Sequence, residues 1–499
     1  MNLEAHLPAL QVVIPLIAAP ACFILRQRSL AWLFATLVTW VAFAISILLF
    51  REVQANGPIS YYLGGWEPPW GIEYYVDTLT TLVLLVVSGV GALVMPFARI
   101  SVEREVPEER IYLFYVMYLL CLTGLLGITI TGDAFNLFVF LEISSLSSYV
   151  LISLGRDSRA LTAAFRYLIM GTIGATFYVI GIGALYMMTG TLNMADLADR
   201  LPELGKLEIA LAFLLVGISL KLALFPLHLW LPNAYAFAPT TVTIFLAATA
   251  TKVSVYAMIR VLYSVFGGVA FLQTVSIDEA LLTLGIAGMI CGSLVAIFQT
   301  NVKRLLAYSS ISQIGYMVLG LSLGNVFGLA ASIVHIINHA IMKATMFMAM
   351  GCATTQASVV KVEDLAGLGR RMPLTMAAMV VGSLSLIGVP LTVGFVSKWY
   401  LIQSSFHAGD WYIAFIIGIS GLLAIIYNWR LVEAAYFTPE PPGREDVHEA
   451  PLSMLVPLWI LAGLCILFGV NASWTLDYAI QAATAILGDP VAGAAGAGQ

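Results

Sequence analysis

Charge is what this sequence lacks. Only 10% of its 499 residues are charged and 60% are hydrophobic, where a soluble domain has about 25% charged residues. Cysteine is scarce as well: Cys22, Cys121, Cys291, Cys352 and Cys465 stand far apart, with no CxxC pair. That spacing excludes a disulfide framework and a thiolate metal cluster, and reads as five small hydrophobes in apolar runs. No basic tract is present to follow a nucleic-acid backbone. The net charge of −5 is spread over many short loops. Met1 to Pro8 lacks the basic n-region of a secretory signal, so the first apolar run reads as a retained helix.

What the sequence has instead is apolar length. Its mean hydropathy is +0.94, and runs of about 20 apolar residues, enough to cross about 30 Å of hydrocarbon, recur along it. The pattern predicts an all-α polytopic membrane protein of fourteen spans, at 7–26, 29–50, 74–97, 111–131, 134–155, 162–189, 208–231, 241–265, 278–299, 302–323, 326–352, 373–402, 411–435 and 453–472. The basic residues test that count. With the N-terminus outside, one set of loops and span ends collects Arg26, Arg28, Arg99, Arg104, Arg110, Arg156, Arg159, Arg166, Lys303, Arg304, Lys361, Arg370, Arg371, Arg430 and Arg444. The other set holds only Arg51, Arg200, Lys206 and Arg260. Fifteen against four predicts that both termini face outside.

Some segments break the apolar pattern. Residues 57–73 are rich in Gly, Pro, Trp and Tyr and predict a hairpin or turn cap at the outer interface, where aromatic rings settle. From Thr475 the tail is weakly amphipathic and then Ala/Gly-rich, which predicts disorder. Lys221 is followed by Pro226, and Gly388-Val389-Pro390 precedes Lys398. Two proline-interrupted spans that each carry a lysine form the pattern of inverted-repeat transporters with discontinuous helices. Gly171 and Ala175 form a small-xxx-small pair, for which helix packing is a sufficient account.

Seven ionisable residues fall well inside spans: Glu142, Lys221, Lys252, His335, His339, Lys343 and Lys398. A central lysine costs roughly 2.5–3.5 kcal/mol on insertion scales. One such lysine is readily a snorkelling or structurally paired charge. Four, in different spans, point to a function. Burial disfavours the charged form of an amine, and a nearby carboxylate restores it. Glu142 is the carboxylate at mid-depth, so making and breaking its pair with a lysine would switch that lysine between holding and releasing a proton. His335, His339 and Lys343 recur at i, i+4 and i+8 and share one helix face. Histidine titrates near neutral pH and relays protons through its two nitrogens. A metal reading needs a third ligand and an HExxH glutamate, which this segment lacks. The prolines Pro226, Pro232 and Pro239 free backbone carbonyls, tolerated at membrane depth where they line a wet cavity. His228 lies there, either as an acceptor of cytoplasmic protons or as a structural histidine bonded to backbone. No cofactor motif is present, and no pattern marks a Na⁺ site.

Several runs resemble one family. KLALFPLHLWLPNAYAFAPTTV at 221–242, NVKRLLAYSSISQIGYM at 301–317, HIINHAIMKATMFMAMG at 335–351 and GVPLTVGFVSKWYL at 388–401 are similar to the antiporter-like subunits of Mrp-type cation/proton antiporters, respiratory complex I and membrane-bound hydrogenases. FNLFVFLEISSLSSYVL at 135–151 adds the family's fifth-helix glutamate. The resemblance covers roughly 60–435. It implies a core of fourteen helices with two inverted five-helix repeats and broken helices 7 and 12. In this chain that gives N-terminal helices with the hairpin loop at 1–110, repeats at 111–265 and 278–435, and a last helix with a flexible tail at 436–499. It also implies a Glu142–Lys221 pair, a bridge through Lys252, a centre at His335, His339 and Lys343, and an outlet at Lys398.

Within the family, the length, the run RMPLT at 371–375 and a lysine at 398 resemble the D-type subunit of Mrp Na⁺/H⁺ antiporters. The expectation is a proton-translocating subunit of a bacterial inner-membrane complex exchanging Na⁺ or K⁺ for H⁺, with other antiporter subunits as partners and no enzymatic chemistry of its own. The alternative is a proton-pumping subunit of a redox complex, where partner subunits carry out the chemistry. A third reading makes the buried charges a purely structural scaffold.

Overall fold

The computed structural model describes residues 3–203, 207–267 and 275–488. Long apolar runs without internal breakers become single helices: α1 (Leu7–Leu25), α2 (Arg28–Asn56), α3 (Thr78–Glu105), α4 (Ile111–Ile130), α5 (Ala134–Ser153) and α6 (Arg159–Thr189). A short α7 (Met194–Arg200) leads to an interrupted span, α8 (Glu208–Leu222) and α9 (Leu231–Phe237). Next come α10 (Thr240–Ala248) and α11 (Ala250–Ile259), followed by a wider π turn over Arg260–Val265. α12 (Ile277–Ile297), α13 (Val302–Ser322) and α14 (Val326–Ala357) follow. The short α15 (Leu368–Arg371) precedes a second interrupted span, α16 (Pro373–Ile387) and α17 (Val393–His407). α18 (Trp411–Tyr436), α19 (Leu452–Val470) and α20 (Ala472–Leu487) end the described chain.

Among the described residues, twelve helices are long and apolar enough to cross a membrane. With the two interrupted spans, this is the fourteen expected. The expected hairpin is present as β1 (Ile59–Tyr62) against β2 (Glu73–Val76), antiparallel, with Ile59 opposite Val76. The tail differs in part: residues 472–487 form α20, and the Ala/Gly-rich residues expected to be disordered lie at 489–499, outside the described residues.

The helices sort by their solvent. The stretch Thr240–Val265 and helices α13 and α14 are almost wholly surrounded by protein. Helices α1, α2, α6, α18 and α19 instead expose apolar side chains such as Ile24, Leu37, Phe165, Leu422 and Val456, as lipid requires. Polar caps fix where helices begin. Asp77 accepts from Thr80 N (2.8 Å), Asp133 from Asn136 N (2.6 Å) and Asn325 from Gly328 N (2.8 Å), each cap worth about 0.5–2 kcal/mol. The loops alternate between two faces. On one, Tyr74 bridges to Thr131 and Asp133 to Asn193; on the other, Asn301 bridges to Lys361.

The small-residue contact differs in detail from the expectation. A side chain at Gly171 would collide with the Tyr149 hydroxyl, so that glycine makes room for a tyrosine. The close approach of α6 to α8 runs instead through Gly174, Gly181 and Gly217, where a methyl group would meet the facing backbone.

Candidate functional site

Each break in a span is placed by local chemistry, and each carries a lysine. Helix α8 ends when Ala223 turns left-handed (φ 60°), and the Leu220 carbonyl there accepts the Trp230 indole N–H at 2.9 Å as well as the Ala223 N–H. Lys221 is therefore the penultimate residue of a half-helix and not a mid-helix residue. Its ammonium reaches Glu142 Oε1 on α5 at 3.1 Å and Ser145 Oγ at 2.7 Å. Helix α16 ends at Gly388, whose φ of 90° suits glycine. A Cβ there would also stand 2.9 Å from the Lys398 Cδ atom. Lys398 folds back from α17, and its ammonium donates to the freed carbonyls of Leu386 (3.0 Å) and Ile387 (2.9 Å). Those carbonyls form the negative end of the α16 dipole, which favours a cation.

The third break was not foreseen. The span expected at 241–265 parts at Thr249, where φ is −122° and ψ −57°. No proline or glycine marks the spot. Lys252 donates to the Ala247 carbonyl beside it and to Thr251 Oγ1 at 3.3 Å.

The expected stripe is present. His335, His339 and Lys343 lie on α14, fully buried, with the two imidazoles nearly parallel and their centroids 5.9 Å apart. His335 Nδ1 shares a 2.7 Å hydrogen bond with Ser397 Oγ, beside Lys398. Lys343 donates to the Leu306 carbonyl (2.9 Å) and to the Ser309 hydroxyl on α13. Among the described residues, neither nitrogen of His339 has a hydrogen-bond partner.

These groups form one row. A cavity of about 20 Å³ is lined by Ser144, Ser145, Ser148, Tyr167, Lys221 and Ser254, room for about one water. It joins the Glu142–Lys221 pair to the helix that carries Lys252. His339 interacts electrostatically with Lys252, Lys343 and His335, and His335 with Lys398 and Lys252. Tyr316 closes the far end: Lys398 Nζ stands 4.9 Å over its ring, and the His335 ring is 5.7 Å away. His228 stands to one side, buried in the turn between α8 and α9, with its ring stacked on Phe225 at 5.2 Å and 6.2 Å from Tyr308.

The sequence reading missed the hydroxyl partners Ser145, Ser309 and Ser397, and the aromatic lid Tyr316. It also placed Arg260 among basic residues at span ends. Arg260 is instead buried at the start of the π turn that follows α11, 2.5 Å from Asp77 and bonded to Tyr256 Oη (3.0 Å) and Thr80 Oγ1 (2.9 Å). The pair borders a cavity of about 410 Å³, which Glu73 and Thr131 also line. The i+8 spacing of Arg260 from Lys252 was the signal available in the sequence.

Known proteins share this architecture. Residues 131–424 match the family described as NADH:quinone oxidoreductase/Mrp antiporter, TM. The NADH-quinone oxidoreductase subunit N of Desulforudis audaxviator is 41% identical, covering 96% of this chain and 98% of its own length. The D-type Na(+)/H(+) antiporter subunit of Alkalihalophilus pseudofirmus is 33% identical, covering 89% of this chain and 90% of its own. An archaeal membrane-bound sulfane sulfur reductase, a respiratory membrane complex, contains a chain that superposes with a TM-score of 0.90 at 33% identity, covering 96% of this chain and 97% of that one.

Proposed function

The chain belongs to the NADH:quinone oxidoreductase/Mrp antiporter transmembrane family, and on that premise we propose that it is the proton-translocating subunit of a multisubunit antiporter exchanging H⁺ for Na⁺ or K⁺. The observation that carries this reading is the row of buried ionisable groups from Glu142 and Lys221, through Lys252, His339 and Lys343, to His335 and Lys398. Lys252, Lys343 and Lys398 are held by neutral oxygens. Among the described residues, none of the three pairs with a carboxylate. None of these three charges is therefore offset by a carboxylate of its own. Like charges in a low dielectric repel strongly, so a proton arriving at one end favours release at the other. Glu142 sets the first step by holding or yielding Lys221. His339, with both nitrogens unengaged, links the two halves, and His228 receives protons from the inner face.

The repeats at 111–265 and 278–435 each supply one interrupted span to this row. We place the chain in the bacterial inner membrane with both termini outside, which the division of basic residues, fifteen against three once the buried Arg260 is set aside, supports. The neighbouring subunits of such a complex are its partners.

A second reading, a proton-pumping subunit of a redox complex, is favoured by the 41% identity to a protein named as a quinone oxidoreductase subunit. One experiment separates the two. The purified complex is reconstituted in vesicles and given a Na⁺ or K⁺ gradient without an electron donor. The antiporter reading expects proton flux that follows the cation gradient. Flux seen only with a reduced donor and an oxidant selects the second reading, and flux in neither condition ends both.

A further inference from the structure

Helix α6 is 31 residues long, about 46 Å at 1.5 Å per residue. The hydrocarbon layer is about 30 Å thick, so α6 overshoots it by roughly 8 Å at each end. Its first residue, Arg159, therefore stands among headgroups. Arg166, two turns further along and about 10 Å deeper, stands at the headgroup–hydrocarbon boundary. The two arginines share one helix face with Thr162, and together with Asn233 and Phe237 of α9 they line a pocket of about 180 Å³.

The two guanidinium groups differ. Arg159 is bound to Asp157 at 2.7 Å and lies 4.6 Å from the centre of the Phe237 ring. Arg166 is exposed, and among the described residues it makes no ion pair. An unpaired guanidinium at that depth is held where water is thin, with its planar donor fork open to a ligand. Leu161 and Phe165, on the adjoining face, are more than half exposed, and present an apolar flank that continues into the membrane. A planar donor fork, a hydroxyl, a carboxamide and an apolar flank at phosphate depth match a phosphodiester with attached acyl chains.

We propose that this pocket between α6 and α9 binds the headgroup of an anionic phospholipid, with Arg166 as its phosphate ligand. The basic-rich loops put this end of α6 on the inner face, where the exposed Arg156 and Arg159 add positive charge beside it. The site does not depend on what the complex transports, so its test reads binding and not flux.

The intact complex is reconstituted in phosphatidylcholine vesicles with and without phosphatidylglycerol, and its thermal unfolding is followed. Phosphatidylglycerol raises the Tm of the wild type. Arg166→Gln and Thr162→Val each lose a large part of that rise, and Arg166→Lys, which keeps a point charge without the fork, keeps some of it. Native mass spectrometry finds one fewer retained phosphatidylglycerol in Arg166→Gln than in the wild type. An unchanged lipid count and an unchanged Tm rise in that variant overturn the proposal. So does an equal Tm rise from inorganic phosphate in phosphatidylcholine vesicles, which assigns the pocket to a free anion. Release of a neighbouring subunit from Arg166→Gln with the lipid count intact overturns it too, and makes the face a protein interface.

Discussion

Lys221 and Glu142 form an ion pair whose two ends see different surroundings: the lysine side chain is 5% exposed and the glutamate 25%. The lysine lines the water-sized cavity, and the glutamate, on α5, is the more exposed of the two. A pair of this kind is a junction. Its outer member answers to whatever packs against α5, and its inner member answers to the row behind it.

Replacing Glu142 with Gln keeps the side chain's shape and removes its charge. Cation-driven proton exchange should fall at least tenfold while the complex still assembles, as judged by its elution on a sizing column. Lys221→Ala should lose as much. If the two act as one junction, Glu142→Gln/Lys221→Ala should be no worse than either single variant, a coupling that distant sites do not show. Additive losses, or full exchange in both singles, would leave the charges as scaffold.

The histidines are expected to divide by partner. His339 has both nitrogens unengaged among the described residues, whereas His335 is tied to Ser397. His339→Ala should therefore lower exchange more than Ser397→Ala, which only unties its neighbour. The double variant His335→Ala/His339→Ala should be inactive. His228→Ala should be milder, since its ring packs on Phe225 and Tyr308, beside the row and not in it. Initial rates of proton uptake at a fixed cation gradient rank the four variants. Wild-type exchange in the double variant would remove the stripe from the pathway.

At Lys398 the ring of Tyr316 supplies a quadrupole and the half-helix α16 supplies carbonyls. A cation over an aromatic face is worth about 0.5–2 kcal/mol. Tyr316→Phe should keep nearly all exchange, and Tyr316→Leu should lose several-fold. Lys398→Ala should be severe. Equal loss in Phe and Leu variants would show that the hydroxyl, and not the ring, is what Lys398 needs.

Much of this was legible in the sequence because lipid imposes simple rules. Length and apolarity placed the spans, and Pro226 with Gly388-Val389-Pro390 announced two breaks. The i, i+4, i+8 spacing put His335, His339 and Lys343 on one face. The break at Thr249 was not legible. LAATATK carries no helix breaker, and the bond from Lys252 to the Ala247 carbonyl involves a side chain whose reach no local pattern encodes. Arg260 was hidden for a related reason. Its partner Asp77 lies 183 residues away, and a basic residue near a span end ordinarily belongs to a loop.

That pair gives a stability prediction with a defined pH window. Asp77 caps α3 and faces Arg260, with side-chain exposures of 15% and 8%. Burial alone would push the Asp77 carboxyl up, but the Arg260 charge and the bonds from Arg260 and Thr80 outweigh it and hold the carboxyl below its ordinary value. A carboxyl so lowered adds stability that is fully present above its unfolded value, near 3.9, and is lost only as pH falls through its folded value. Asp77→Asn leaves the Arg260 guanidinium buried and uncompensated, a loss of about 3–5 kcal/mol where such pairs are broken. The Tm gap between the wild type and Asp77→Asn should therefore stay constant from about pH 7 to pH 5 and narrow only below pH 4. In Arg260→Gln the burial that remains pushes Asp77 the other way, so in that variant protonation of the carboxyl on acidification should add stability, the opposite sign to the wild type. Tm measured across the pH series checks both, and a gap that closes between pH 7 and 5 would show that the pair does not carry this stability.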